Sequence, residues 1–223
     1  MTVKVSIVGA GNVGKALGSA LTRGKVPVVF GVRDAAKYAD LAKLPHTSVA
    51  SVADAIKSTD VVIVAVSGAQ DDAGIKAIAA SLGPEVAGKL VLDATNPLGA
   101  WPGLETRWKE GTSAGEVMAA ALPNSVVYKA FNTVPAEQMA DAASFIPGLP
   151  HPTLMFAGGP ERQDEVEAVI KAAGYDPQYV GPIRYARNLE SLAELYVHLG
   201  VPGAGTSAKW GRNFHWQVVR KTE

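Results

Sequence analysis

Six residues near the start of the chain, Gly9-Ala10-Gly11-Asn12-Val13-Gly14, have the types and spacing to hold a diphosphate. In this pattern the first glycine makes a tight turn, the second lets the backbone approach a pyrophosphate, and the third lets a helix pack close to a strand. The unpaired amides and partial positive charge of a helix N-terminus then face the anion. The apolar run before Gly9 and the helical run after Gly14 supply the strand–turn–helix context the pattern needs. Gly9 to Lys15 also spells G-x-x-x-x-G-K, but a magnesium-binding phosphate loop needs Ser or Thr next, and here the residue is Ala16.

Further along lie the residues that could choose the nucleotide. Phe30-Gly31-Val32-Arg33-Asp34 closes the second strand-like run, with Lys37 four residues beyond Arg33. Two cations near one ribose favour a 2′-phosphate, hence NADP(H) over NAD(H). Asp34 has two readings: acceptor for a ribose hydroxyl, or cap of the helix that follows. Val66-Ser67-Gly68, Asp93-Ala94-Thr95-Asn96-Pro97 and Ala130-Phe131-Asn132-Thr133-Val134 end later strands with short polar side chains. These suit a ribose, a carboxamide or a second ring. Asp93 reads as a buried structural acceptor, and Lys129 as a side chain bound for the sheet edge or an ion pair. The four histidines share no ligand spacing, so no metal site is expected, and no G-x-S-x-G frame surrounds Ser67.

The elements that must position these residues alternate. Strand candidates are Val3–Val8, Val26–Gly31, Asp60–Val66, Lys89–Ala94, Ser125–Phe131 and Thr153–Ala157. The stretch from Asp60 to Val66 is apolar nearly throughout, as in a parallel strand covered on both faces. Lys15–Arg23 reads as a helix stopped at Gly24, and Ser113-Ala114-Gly115-Glu116 as a capping box opening a helix to about Leu122. Ser144–Pro152 reads as a linker. Beyond it come a helix from Pro160, an extended piece over Gln178–Ile183, a helix from Ala186 to Leu199, and a strand-like run over Asn213–Val219. In the helix after Ala186, Leu189, Leu192, Ala193, Tyr196 and Leu199 share a face. The expected fold is α/β: a Rossmann-like, doubly wound, mostly parallel sheet over residues 1–150, with a small C-terminal α/β extension over 151–223 completing the cleft.

Composition bounds the rest. Of 223 residues, 48% are hydrophobic and 19% charged, which suits a globular domain. Lys plus Arg equals Asp plus Glu, at 21 each, so nothing calls for nucleic acid or an anionic membrane as a partner. There is no cysteine, which excludes disulfides, iron–sulfur clusters and thiol chemistry. No apolar run reaches membrane length and no signal-peptide layout opens the chain, so a cytoplasmic location is expected.

With these residues in place, the chain resembles the deazaflavin-dependent NADP oxidoreductase family. It is also similar to the cytoplasmic oxidoreductase domain of the six-transmembrane metalloreductases. The resemblance rests on Gly9–Gly14, on Gly31-Val32-Arg33 with Lys37, on Asp93–Pro97, on Ser113–Glu116, on Val127-Tyr128-Lys129-Ala130-Phe131-Asn132-Thr133, and on Gly211-Arg212-Asn213-Phe214. It implies NADP(H) across Gly9–Gly14, with the 2′-phosphate on Arg33 and Lys37. It further implies a deazaflavin coenzyme, or FAD or FMN, near Asn132–Val134, direct hydride transfer without a catalytic acid or base, and a homodimer. The chain departs from the family at two places. Val32 stands where a phosphate-holding serine is common, and Asn132 where the deazaflavin enzymes tend to place histidine and the metalloreductases asparagine. Trp101 and Trp108, in the loop Pro97–Gly111, offer cover for a planar ring or packing for the loop. Two other functions fit the same residues: a redox sensor that binds NADPH without turnover, and an NADP-dependent reductase of a small carbonyl or imine.

Overall fold

The computed structural model describes residues 3–100, 105–148, 151–203 and 210–221. Its strands are β1 (Val5–Val8), β2 (Val28–Gly31), β3 (Thr47–Ala50), β4 (Val61–Val64), β5 (Leu90–Asp93), β6 (Val126–Lys129), β7 (Thr153–Gly158) and β8 (Asp176–Tyr179). The helices are α1 (Asn12–Arg23), α2 (Val52–Lys57), α3 (Asp72–Ala80), α4 (Ala114–Ala121), α5 (Ala136–Met139), α6 (Ala142–Phe145), α7 (Gln163–Ala172) and α8 (Ala186–Gly200). The strands form one eight-stranded sheet in the order β3-β2-β1-β4-β5-β6-β7-β8. All pairs are parallel except β6 with β7. This is the doubly wound, mostly parallel α/β architecture that the alternation of elements predicts.

Helices cover both faces, so successive strand residues bury alternately in two cores. Val5, Ile7, Phe30, Val61 and Ile63 pack with Leu17 and Leu21 of α1 and Val166 and Ile170 of α7. Val8, Val62, Val64 and Val91 pack with Ile56 of α2, Ile75 of α3 and Met118 of α4. That double burial is why Val61–Val64 shows no polar alternation.

Four local expectations change. Thr47–Ala50 forms a strand that sequence patterning passes over, because it is short, lies at the sheet edge and is only partly buried. The extended piece expected over Gln178–Ile183 starts earlier, as β8, and gives way to a 3-10 turn at Ile183–Tyr185. The helix expected from Pro160 begins at Gln163, after a turn in which Arg162 takes φ +60°. Asn213–Val219 makes no strand. Gln138 Nε2 donates to the carbonyls of Arg212 (3.2 Å) and Phe214 (2.8 Å), and Phe214 stacks on Tyr196 of α8, so this segment is tied by side chains rather than by a ladder. The expected linker, Ser144–Pro152, includes residues 149–150, which lie outside the described residues.

Candidate dinucleotide site at the strand ends

The last residues of five parallel strands stand abreast. Gly31 pairs with Val8, Val8 with Val64, Val64 with Asp93, and Asp93 with Lys129. The loops that follow therefore leave the sheet from one edge, the carboxyl edge where open α/β sheets bind ligands. They carry Gly9–Gly14, Val32–Asp34, Val66–Gly68, Thr95–Pro97 and Asn132–Val134.

Each glycine of the first loop has a distinct surrounding. Gly9 takes φ +106°, and a Cβ there would lie 2.5 Å from the Ala65 carbonyl oxygen of the neighbouring loop. At Gly14 a Cβ would fall 2.0 Å from the Gly9 carbonyl oxygen, so only glycine lets α1 start this close to β1. Gly11 is the opposite case: a Cβ there would meet nothing within 4 Å. Gly11 is also the N-cap of α1; no side chain caps that helix, and no acidic residue sits in its first turn. Gly11 and Asn12 are exposed and Val13 half-buried. An open bend below uncapped helix amides accommodates a diphosphate, which is the fit this loop must pass to hold a dinucleotide.

At the end of β2, Val32 turns its side chain into the core and keeps its backbone at the rim, the amide donating to the Ala50 carbonyl (3.1 Å). Arg33 and Lys37 are exposed. Arg33 has no hydrogen bond or ion pair among the described residues, while Lys37 Nζ lies 5.7 Å from the Tyr38 ring centroid. The cap expected as one reading of Asp34 is present. Asp34 Oδ1 accepts from the amides of Ala36 (3.1 Å) and Lys37 (3.2 Å), capping the 3-10 turn that follows. The cation pair is thus left as the only charged side chains of Val32–Lys37 not already engaged by the backbone.

The middle of the row is held from below. Asp93 Oδ1 accepts from the Thr95 amide (2.9 Å) and hydroxyl (2.7 Å), so Thr95 acts first as part of a turn. Ser67 is exposed and Val66 half-buried. A Cβ on Gly68 would lie 2.0 Å from the Asn96 carbonyl oxygen, so the loops after β4 and β5 touch backbone to backbone. Pro97, Thr133 and Val134 are buried behind them. Asn96 and Asn132 clasp each other: Asn96 Nδ2 donates to the Asn132 carbonyl (2.8 Å), and Asn132 Nδ2 to Asn96 Oδ1 (3.0 Å). Phe131, wholly buried, takes φ +66°. That left-handed step is costly for a bulky residue; it anchors the ring in the core while turning Asn132 to the strand-end loops.

Beneath this edge lies a charge cluster. Lys129 Nζ, fully buried, lies 2.9 Å from Asp93 Oδ2 and 3.0 Å from Glu190 Oε1 of α8. Burial works against the lysine's charge, but the two carboxylates overcome it and hold its pKa above the ordinary value. Glu190 also accepts from the first amides of α4, Ala114 (3.0 Å) and Gly115 (2.9 Å). Both expectations for this pair are thereby met: Asp93 is structural and Lys129 ion-paired. Glu190 went unread because Leu189, Leu192, Ala193, Tyr196 and Leu199 look like the packed stripe of α8. The stripe actually buried is Ala186, Leu189, Glu190, Ala193, Tyr196 and Gly200, with Leu192 and Leu199 only half covered. The available signal was position: Glu190 lies four residues after Ala186 and three before Ala193. Trp101 lies outside the described residues, as does the side chain of Trp108. Among the described residues, no group of three His, Asp or Glu is placed to hold a metal, and no helix is long and apolar enough to cross a membrane.

A doubly wound sheet with an open glycine bend at its first turn and exposed cations at its second strand end is an α/β architecture of the Rossmann class, shaped to admit a dinucleotide. Within that class, residues 4–97 match the family described as NADP oxidoreductase, coenzyme F420-dependent. A crystal structure from Arthrobacter sp. FB24, provisionally named an F420-dependent NADP-reductase, superposes over 98% of this chain and 100% of its own, with TM-score 0.79 and 27% identity. A protein of unassigned function from Sinorhizobium meliloti matches over 97% and 96%, with TM-score 0.70 and 23% identity. An imine reductase from Myxococcus stipitatus in complex with NADP+ shares the fold at TM-score 0.59 and 21% identity; 86% of this chain spans 60% of that one. No curated protein matches the sequence. The family is one of NADP-dependent oxidoreductases.

Proposed function

We propose that this protein is an NADP(H)-dependent oxidoreductase that moves hydride between the nicotinamide and a deazaflavin or flavin acceptor. The observation that carries the reading is the open bend at Gly11, below the uncapped start of α1, together with Arg33, which has no partner among the described residues at the end of β2. Gly9, Gly11, Asn12, Val13 and Gly14 would hold the diphosphate, and Arg33 with Lys37 the 2′-phosphate. Val32, Val66 and Ser67 would line the ribose side. Thr95, Asn96 and Asn132 would line the ring end, with Pro97, Thr133 and Val134 packed behind them.

When bound, the cofactor supplies the hydride chemistry itself, so the protein's part is binding, orientation and exclusion of water. Asn96 and Asn132 fix each other and so present a rigid amide surface. Lys129, Asp93 and Glu190 are engaged with one another and hold that surface from behind. No proton has to move at a side chain for hydride to pass. The expected assembly is a homodimer.

The test is anaerobic mixing of purified protein and NADPH with a deazaflavin, with FMN, and with a small ketone or imine, followed at 340 nm. Oxidation of NADPH by a ring acceptor supports the reading. Tight NADPH binding with no turnover by any acceptor makes the protein a sensor, and turnover by the ketone or imine alone makes it a carbonyl or imine reductase; either result refutes the acceptor assignment.

A further inference from the structure

Asn132 is 5% exposed, and its carboxamide is only half satisfied. Nδ2 has two N–H groups and uses both, one on Asn96 Oδ1 and one on the Leu189 carbonyl, each at 3.0 Å. Oδ1 is buried and has no partner among the described residues. The orientation is forced: rotating the amide by half a turn would set Oδ1 against two acceptors and leave the N–H groups without any. Buried acceptors without donors are rare in folded proteins, and they call for a specific explanation. Here the acceptor belongs to a strand-end loop at the edge where an α/β sheet receives ligands.

We infer that Asn132 Oδ1 accepts a hydrogen bond from an amide-type N–H of a planar ring bound at this end of the cleft, and that Glu190 is the positioning residue for that bond. The donor is the carboxamide of the nicotinamide or the imide of the acceptor ring, two sources of one chemistry. The inference rests on the proposed NADP(H) reading. Glu190 acts through its neighbour. Its carboxylate is fixed by Lys129 and by the amides of Ala114 and Gly115, which sets the register of α8. The carbonyl of Leu189, one residue earlier, then holds the Asn132 amide in the orientation that leaves Oδ1 for a ligand. A one-turn slip of α8 would release that amide to rotate.

Calorimetry on the wild-type protein tests this in two arms. One compares NADP+ with its 3-acetylpyridine analogue, in which a methyl ketone replaces the carboxamide and no N–H remains. The other compares FMN with 3-methyl-FMN, which lacks the imide N–H. In one arm the analogue should bind about tenfold more weakly, the scale of a lost hydrogen bond to a buried acceptor. The arm that discriminates names the source. In Asn132→Leu the ratio should fall close to one, and in Glu190→Gln it should shrink while the contribution of Arg33 to NADP+ binding persists. Equal binding within both wild-type pairs would overturn this inference and leave the cofactor reading standing. Failure of NADP+ itself to bind would overturn both.

Discussion

Lys129 of β6 and Glu190 of α8 meet at 3.0 Å, both buried, and Asp93 of β5 closes the cluster from the other side of the lysine. One cation faces two anions, and the N-terminal amides of α4 supply the remaining positive potential at Glu190. Removing the cation strands two carboxylates in the core. Lys129→Met should therefore destabilise the fold by about 3–5 kcal/mol, as expected for breaking a buried pair by deleting one partner. Glu190→Gln keeps Lys129 paired with Asp93 and should cost less, about 1–3 kcal/mol. The lysine's pKa is raised in the folded state, so its stabilisation is fully present below the ordinary lysine value and is lost only as pH rises through the raised one. Urea midpoints should accordingly be lower for Lys129→Met than for wild type throughout pH 6 to 9. Equal midpoints across that window would contradict the charged cluster.

Glu116 titrates at the other end of the scale. It is the third residue of α4 and completes the capping box expected from Ser113–Glu116: Ser113 Oγ accepts from the Glu116 amide at 3.1 Å and donates to its carboxylate at 2.8 Å. Burial pushes the carboxyl up, but hydrogen bonds from Arg187 (2.7 and 2.8 Å) and Ser113, with the charges of Arg187 and Arg184, outweigh it and hold the pKa below the usual carboxylate range. A depressed pKa gives stability that is present above the unfolded value, near 4.5, and lost as pH falls through the folded one. Because the pair is partly exposed, Glu116→Gln should cost about 1 kcal/mol or less at pH 7. The penalty should vanish in thermal melts taken well below pH 4. A penalty unchanged in acid would mean that Glu116 acts by packing alone.

How far the sequence foretold these features depends on how local their causes are. The glycine bend, the Ser113 cap and the buried run Val61–Val64 each follow from a few adjacent residues, and each takes its expected form. Asp34 had two local readings, and the choice turned on where the amides of Ala36 and Lys37 point. Glu190 could not be read from its neighbours, because its partners, Lys129 of β6 and the first amides of α4, are 61 to 76 residues away. Phe131 shows the same limit: nothing in Lys129-Ala130-Phe131-Asn132 announces a left-handed backbone at a phenylalanine, which only the surrounding core imposes. The C-terminal run misled for a related reason. Its residues look like a strand, yet Gln138 claims the Phe214 carbonyl, and Gln138 and Tyr196 claim that of Arg212 just before it.

The two inner glycines of the first loop should separate folding from binding. Gly14→Ala would drive a Cβ to 2.0 Å from the Gly9 carbonyl, a backbone atom that cannot swing aside, so β1 and α1 must part. Overpacking of this kind costs about 1–3 kcal/mol or more, and the melting temperature should fall by several degrees, roughly 2–4 °C per kcal/mol for a chain of this size. Gly11→Ala meets nothing within 4 Å and its φ of −76° suits any residue, so the melting temperature should hold or rise slightly. Its methyl group would instead stand where a diphosphate approaches the backbone. NADPH titrations should then show at least tenfold weaker binding by a protein that is as stable as wild type. If Gly11→Ala binds NADPH as well as wild type does, the diphosphate does not lie against this bend.

Arg33 carries the choice between nicotinamide cofactors. It is exposed and has no partner among the described residues, whereas Asp34, the acidic neighbour that could have received a ribose hydroxyl, is committed to the amides of Ala36 and Lys37. Val32 cannot assist, since its side chain is in the core. The phosphate therefore depends on Arg33 and on Lys37, which rests beside the Tyr38 ring. Arg33→Ala should weaken NADPH by about 1–3 kcal/mol, the range for a charged hydrogen bond, or roughly 5- to 150-fold, and should leave NADH nearly unchanged. Lys37→Ala should act in the same direction with a smaller effect, because a single ammonium lacks the planar fork that grips phosphate oxygens in pairs. The loss should also shrink as salt rises, since the contact is solvent-exposed and screened. Paired titrations with NADPH and NADH at low and high ionic strength measure all three effects. Equal losses for the two cofactors in Arg33→Ala would place the 2′-phosphate elsewhere.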